Sequence, residues 1–377
     1  MMAGMSASQQ ERLVSLDGYR GLAVAGMILV MNAGNWSTVY WPLLHAAWNG
    51  WTPTDMIFPS FLFIVGVSMT FSFASRIAKG AGRAGLAWHV VRRSAVLCAL
   101  GLFLNAVPTF DLATLRIPGV LQRIALCYLG GGLLYLAAER RRVAVIAGVA
   151  AALLFGYWAM LRFVPVPGFG AGRLDSLGNL DAYVDRAVFG VHHLWPYGLT
   201  PGHGVTYDPE GLLSTIPAVA NLLFGILAGE WLRSERSGAR RAARLAVAGA
   251  AVMLAGWLLN PVVPINKRIW TSSFALFSGG FSVLALALMY WLVDLRRWRW
   301  WTPPALVFGT NAIFAYSLAM VLSPLLSLAR APHRVYALLF PALLNSYNAS
   351  LAWAVLFVLL ILALTWPLYR KGWFLRI

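Results

Sequence analysis

The sequence predicts an all-α polytopic membrane protein with about ten transmembrane helices. Three observations carry that reading. The 377 residues are 60% hydrophobic and only 11% charged, far from the balance of a water-soluble domain. Apolar runs of roughly 20 residues, enough to cross a hydrocarbon core of about 30 Å, recur along almost the whole chain. The runs are continuous rather than alternating, which favours helices over a barrel, since lipid tolerates only backbones whose hydrogen bonds are all closed. Residues 1–377 read as one transmembrane domain, with a cytoplasmic tail over 1–12 and an external loop over 164–210.

The spans are expected near 14–35, 54–75, 86–106, 119–138, 143–163, 211–232, 245–262, 270–293, 303–323 and 349–369. Span one has a short apolar stretch: Gly21 to Met31 covers about 16 Å at 1.5 Å per residue. It must therefore draw Ser15, Asp17 and Arg20 toward the inner interface and Asn32 toward the outer one. Asp17 and Arg20 share a helix face and can pair, either only to fix the helix or to line a cytoplasmic ligand entrance. Span two opens on Thr52-Pro53-Thr54-Asp55, an N-cap, a proline at the first helical position and an acid three residues beyond the cap. Pro59 is expected to kink it. Cys98 and Cys127 each sit alone in apolar runs and read as small core side chains. Span four begins with Gln122 and Arg123, where a membrane-embedded ionisable group needs a partner or a ligand.

The Gly-, Pro- and Asp-rich stretch 164–210 is expected to be an ordered cap, because structureless loops of that length are rare in compact proteins. His192, His193 and His203 fall within it, near Asp208 and Glu210. Adjacent histidines point apart and no His-x3-His spacing occurs, so no metal is expected. Span eight is entered through Lys267, Trp270, Thr271 and Ser272, and span nine contains Asn311. These polar groups serve either a ligand or helix–helix packing.

The formal charge of +17 does not point to a nucleic acid, because the basic residues follow the positive-inside rule. Arg76, Lys79, Arg83, Arg92 and Arg93 lie between spans two and three, Arg140 to Arg142 between four and five, and Arg233, Arg236, Arg240, Arg241 and Arg244 between six and seven. Arg296, Arg297 and Arg299, then Arg370, Lys371 and Arg376, complete the same side. With an even number of spans both termini are expected in the cytoplasm, in agreement with Arg12 and Arg370. The first dozen residues lack the pattern of a secretory signal, so no cleavage is expected.

The connection after span one contains neither Lys nor Arg and therefore faces outward. It holds His45, whose side chain has an unperturbed pKa of about 6.5 and can take a proton near neutral pH without special tuning. The same ring lies among Trp36, Trp41, Trp48 and Trp51, an aromatic group that would also anchor an ordinary helix at the headgroup level. Asp55 fits a capping role, yet a carboxylate held there can also orient the His45 ring.

The segments SLDGYRG, MNAGNW, LLHAAWNGWTPTDMIFPSFLFIVGVS, IPGVLQRIALCYL, DAYVDRAVFG, YDPEGLLSTIPA, PINKRIWTSSF and GTNAIFAY resemble the heparan-alpha-glucosaminide N-acetyltransferase family, in its bacterial branch, over nearly the whole chain. The resemblance implies a transmembrane acyltransferase bundle in the bacterial inner membrane that takes acetyl from cytosolic acetyl-CoA, as co-substrate, and delivers it to an amino sugar on the far side of the bilayer. It makes His45 the expected general base, with Asn32 and Asp55 at positions matching the family's polar partners. The spacing from Asn32 to His45 differs from that in some members. Asp17, Arg20, Gln122, Arg123 and Asn311 are expected on the donor side, and Trp48, Asn49, Lys267, Trp270 and Ser272 on the acceptor side. The resemblance does not extend to the lumenal N-terminal domain of animal members, so neither lysosomal targeting nor a heparan substrate is expected. A homodimer is left open. Two alternatives stand beside this reading: a transporter of a polar solute, which would favour inverted repeats that the sequence lacks, and an acyltransferase for a non-sugar acceptor.

Overall fold

The structure, a computed structural model, describes residues 13–107, 109–139, 141–234, 238–330, 334, 335, 337 and 345–375. Arg12, Arg140, Arg236 and Arg376, with the tail over 1–12, lie outside the described residues. The helices are α1 (Val14–Val30), α2 (Ile57–Ala78), α3 (Arg83–Ala106), α4 (Val120–Ala137), α5 (Arg142–Phe163), α6 (Leu180–Phe189), α7 (Thr215–Ser234), α8 (Gly238–Leu259), α9 (Ser272–Met289), α10 (Thr302–Thr310), α11 (Ala312–Leu328) and α12 (Ser346–Arg370). A single hairpin, β1 (Leu199–Thr200) against β2 (Gly204–Val205), is the sheet among the described residues.

Eight of these helices are long and apolar enough to cross a bilayer, and α10 and α11 meet the same length and composition only as a pair bent by 84°, a broken span or a re-entrant loop. The remaining span of the sequence reading is α1, whose 17 residues rise about 25 Å, short for a bilayer as its polar entry predicts. The observed boundaries depart from the expected ones at α8, which starts at Gly238 rather than near residue 245. Arg240, Arg241 and Arg244 are good helix formers, and long basic side chains can carry their charge away from an apolar stem. Pro59, expected to kink span two, is the third residue of α2. A 3₁₀ turn over Pro53–Met56 precedes α2, so Pro59 falls in the first turn of the α-helix, where its missing N–H would have no helical acceptor.

Close approach of backbones sets the packing. A methyl group on Gly309 would collide with the Asp17 carbonyl oxygen, and one on Gly21 with that of Ala305, so α1 and α10 meet as only small residues permit. The break after α10 falls at Asn311, whose Oδ1 accepts the Leu375 N–H at 3.1 Å. Beyond Met289 the α9 helix continues as a π-helical turn over Tyr290–Leu295.

Hydrogen bonds between helix termini define two ends of the bundle. At one, Ser15 donates to Asp294 at 2.5 Å, Arg83 pairs with Glu139 at 2.7 Å, and Arg142 and Arg233 converge on Glu230 at 3.9 and 2.9 Å. The arginines of the sequence's basic connections thus gather at a common basic end. At the opposite end, Gly34 donates to the Ser350 carbonyl at 3.3 Å and Gly50 to that of Ile265 at 2.7 Å. There the segment between α5 and α7 folds into α6 and the hairpin. Asn179 caps α6 by accepting the Ala182 N–H at 2.8 Å. Tyr157, Leu161, Val166, Leu180 and Ile269 form a second small core that holds this cap to α5 and to the loop before α9.

Candidate active site

His45 lies in the connection from α1 to α2, at the capped end. A 3₁₀ turn over Trp41–Leu43 with Pro42 at its start is followed by a fold-back. In it Thr52 donates its hydroxyl to the Leu44 carbonyl at 2.5 Å and Thr54 its own to that of Pro42 at 2.9 Å. The turn aims the His45 ring at Asp55. Nδ1 is 2.7 Å from Asp55 Oδ1, and since a carboxylate at this distance is an acceptor, Nδ1 carries the proton and Nε2 keeps its lone pair. The other oxygen, Oδ2, accepts the backbone N–H groups of Ala46 at 3.1 Å and Thr52 at 2.9 Å. The second bond is the acid half of the capping arrangement expected from the sequence. Asp55 is fully buried, whereas 35% of the His45 side chain remains accessible.

The loop before α9 supplies a third charged group. Gly50 and Asn266 bridge the two loops as neighbouring chains, and Asn266 donates to the Asn49 side chain at 3.1 Å. That pairing brings the Lys267 ammonium to 3.1 Å from His45 Nδ1 and 3.3 Å from Nε2, and to 3.9 Å from Asp55 Oδ1. Burial lowers the Lys267 pKa to about 8, with Asp55 and Glu210 opposing the shift and Arg268 and Arg123 adding to it. Burial also lowers the pKa of His45, and the nearby Lys267 charge lowers it further, against the pull of Asp55. The loop is held rigid by Thr271, which donates to the Pro264 carbonyl at 2.8 Å and accepts the Asn266 N–H at 3.1 Å. Trp270 adopts a left-handed backbone, φ 48°, a conformation costing a bulky residue on the order of 1–3 kcal/mol. Its indole N–H on Asn221 at 2.9 Å and edge contacts with Phe58 and Phe274 lock it there.

Within the bundle a cavity of about 400 Å³ opens among α1, α2, α3, α4, α10 and α11. Arg20, Arg76, His89 and Arg93 line its basic end together with Phe374 and Leu375, and Phe61, Leu121 and Tyr316 line it further along. Arg93 stacks on Tyr128 at 4.8 Å and has a buried Nε without a hydrogen-bond partner among the described residues, as a group awaiting an anionic ligand would. Burial would raise the Glu210 pKa, but Arg116, Arg123 and Lys267 bring it below the usual value. His45, Asp55 and Lys267 are not among the residues that line this cavity.

The expected donor-side residues separate. Arg20 lines the cavity, bonded to Asp17 at 3.1 Å, to Ser68 at 2.5 Å and to the Gly309 carbonyl at 3.2 Å. Gln122 and Arg123 face away from the cavity that their neighbours Leu121 and Ile124 line. The Gln122 carboxamide wedges against Gly101 and Gly119. Arg123 donates to Gly211 at 2.9 Å and Ser214 at 2.6 Å, with its guanidinium 5.0 Å over the Trp270 ring. Asn311 marks the α10–α11 break, and its buried Nδ2 has no partner among the described residues.

On the acceptor side, Trp48 reaches the cap, donating to the Leu174 carbonyl at 2.8 Å and packing on Tyr207 at 5.0 Å. Asn49 holds Asn266, as described. Trp270 and Ser272, also expected there, are buried: the indole has no accessible area, and Ser272 gives its hydroxyl to the Leu154 carbonyl at 2.7 Å. They support the site from behind. Asn32 is not joined to His45 by a hydrogen bond. Its amide donates to the Ile28 carbonyl at 2.7 Å and borders two further cavities, of about 280 and 230 Å³, with Met31 and Ser323.

Sequence reasoning passed over Arg116, which binds Asp208 through Nε at 2.8 Å and Glu210 at 2.6 Å. The available signal was the pair of acids in Asp208-Pro209-Glu210, next to an apolar span and in need of a cation. No cluster of metal-binding side chains occurs among the described residues.

Fold and cluster together define a polytopic membrane protein built around an internal cavity and a histidine paired with a buried carboxylate. The family model for heparan-alpha-glucosaminide N-acetyltransferase, catalytic, matches residues 12–258, and the chain belongs to that family. It is 29% identical over 350 residues to the human heparan-alpha-glucosaminide N-acetyltransferase, covering 81% of this chain and 52% of the human one. To the mouse protein of the same name it is 30% identical over 354 residues, 82% of this chain and 53% of the relative. The chain thus spans about half the length of the curated relatives it matches.

Proposed function

We propose that the protein is a membrane acetyltransferase that accepts acetyl-CoA from the basic end of the bundle and transfers acetyl to an amine at the capped end, with His45 as general base. The observation that carries this reading is the His45–Asp55 contact. It fixes the proton on Nδ1 and leaves Nε2, on a partly accessible ring, free to receive one. The names of the relatives and the family supply the reaction class and make a glucosamine-type amino sugar the preferred acceptor.

Arg20, Arg76 and Arg93 at the cavity mouth suit the phosphates of CoA, and the remainder of the cavity suits the pantetheine arm. In the transfer, the amine nitrogen attacks the thioester carbonyl. The N–C bond forms, the surplus amine proton passes to Nε2, and the C–S bond breaks to release CoA thiolate, which takes that proton. Asp55 orients the ring, and Asn32 remains the candidate donor to the developing oxyanion. The basic end faces the cytoplasm, with both termini, and the cap faces outward from a bacterial inner membrane.

The test is acetyl transfer from labelled acetyl-CoA to glucosamine by the purified full chain in liposomes, comparing wild type with His45→Ala and His45→Gln. Both variants are expected to lose on the order of 10²–10⁴ in kcat while still binding CoA. Unchanged turnover in both would remove His45 from the reaction.

A further inference from the structure

Lys267 stands in an unusual relation to His45. Its ammonium is nearly equidistant from the two ring nitrogens, 3.1 and 3.3 Å away. Within the plane of an imidazole, a point that far from both nitrogens would overlap either Cε1 or the opposite edge of the ring. The ammonium therefore lies over the ring face, where the π-cloud of a neutral imidazole attracts a cation, and it does not fill the in-plane lone pair of Nε2. Nor is Lys267 simply the counter-ion of Asp55. It is 3.9 Å from that carboxylate, whose oxygens already accept from His45, Ala46 and Thr52.

We propose that Lys267 is a positioning residue whose charge, held over the face of the His45 ring, keeps that imidazole in its neutral, proton-accepting form while leaving Nε2 open. This deepens the acetyltransferase reading and rests on it for its purpose. A cation over the face tolerates the neutral ring and repels the imidazolium, so it opposes idle protonation of the base from the aqueous side. The same repulsion, renewed when Nε2 takes the amine proton, drives that proton on to the departing thiolate. Charges from each packed element fit this balance. Asp55, from the turn before α2, favours the imidazolium, whereas Lys267 and Arg268, from the loop before α9, oppose it. Glu210 from the cap segment favours the charged Lys267, and Arg123 from α4 disfavours it.

The experiment titrates His45 directly. Diethyl pyrocarbonate acylates neutral imidazole, so its rate at His45, followed on the His45 peptide by mass spectrometry across a pH series, reports the neutral fraction without any substrate. Wild type is compared with Lys267→Met, which keeps length and loses charge, and Lys267→Arg, which keeps charge. At mildly acid pH, relative to each protein's own alkaline plateau, the Lys267→Met rate is expected to fall roughly three- to tenfold below wild type. Lys267→Arg is expected to stay within about twofold of wild type. The acid limb of kcat/KM should move to higher pH in Lys267→Met. Superimposable labelling profiles for wild type and Lys267→Met would overturn the proposal, as would an arginine variant that behaves like the methionine one. Lys267→Gln gives the same comparison if the methionine variant does not fold. Because the labelling needs no acetyl transfer, a shifted profile in a protein without transferase activity would sink the acetyltransferase reading and leave the electrostatic one standing.

Discussion

Asp55 has each of its oxygens engaged, and that makes it a sharp residue to alter. Asp55→Asn keeps the shape and one acceptor for the Ala46 and Thr52 N–H groups, but turns an amide NH₂ toward His45 Nδ1. The ring must then accept there and carry its proton on Nε2, the wrong tautomer for a base. The expected result is a fall in kcat on the order of 10²–10⁴, with KM for acetyl-CoA and thermal stability near wild type. Asp55→Ala should add a stability loss of about 1–3 kcal/mol per buried N–H left unpaired, read by thermal unfolding. An Asp55→Asn enzyme of normal kcat would mean that the tautomer is irrelevant. This pair was legible in the sequence because its members are 10 residues apart and the acid sits in a recognisable capping pattern. The contact of Lys267 with His45 was not, since it spans 222 residues and depends on how two loops align. For Trp270 the sequence left ligand contact and packing open, and Asn221 with two phenyl rings buries the indole.

At the scale of elements, α6 clamps the start of α7. Asp181 and Asp185 share one face of α6. Asp181 accepts the Ser214 N–H at 2.7 Å, and Asp185 accepts that of Leu212 at 2.8 Å, so both serve otherwise unpaired donors near a helix N-terminus. Burial raises the pKa of each, and for Asp185 the charge of Asp181 raises it further. A folded pKa above the unfolded value contributes stability that is fully present below the ordinary carboxylate range and is lost as pH rises through the folded pKa. Thermal stability should therefore decline from weakly acid to alkaline pH. Asp185→Asn, which keeps the acceptor for Leu212 and cannot ionise, should flatten that decline. A variant that melts lower at every pH with an unchanged slope would refute this account. Gly211→Ala should disturb the clamp without touching charge, because a methyl there collides with the Asp185 carboxylate. The apolar spans themselves were readable from composition, since hydrocarbon thickness imposes a length on them. The break at Asn311, the π-helical turn after α9 and the early start of α8 were not, because remote partners such as Leu375 and the solvation of basic side chains decide them.

For the whole molecule, the central asymmetry is electrostatic: arginines gather at one end, while a single buried lysine is balanced among acids near the other. The sequence carried the first half of this, because clustered basic connections announce themselves, and missed the second, because Arg116, Asp208, Glu210 and Lys267 meet only after folding. If the basic cavity mouth captures CoA through its phosphates, its contribution is made on binding and is equal in ground and transition states, so it belongs in KM and not in kcat. Arg76→Gln and Arg93→Gln should each raise KM for acetyl-CoA several-fold, about 1 kcal/mol or more for a partly buried charged contact, and leave kcat within about twofold. Raising ionic strength from about 0.05 to 0.5 M should raise KM in wild type, since salt screens the attraction between the arginines and the phosphates, and should do so less when Arg76→Gln and Arg93→Gln are combined. Arg93 is the more informative of the two. Its Nε is buried and has no partner among the described residues, so a phosphate there would satisfy it, and bound CoA should slow hydrogen exchange at the neighbouring α3 backbone. Steady-state kinetics with CoA as competitor separates the alternatives: a loss confined to kcat in Arg93→Gln, with salt-independent KM, would place the donor's phosphates elsewhere and detach this cavity from the proposed reaction.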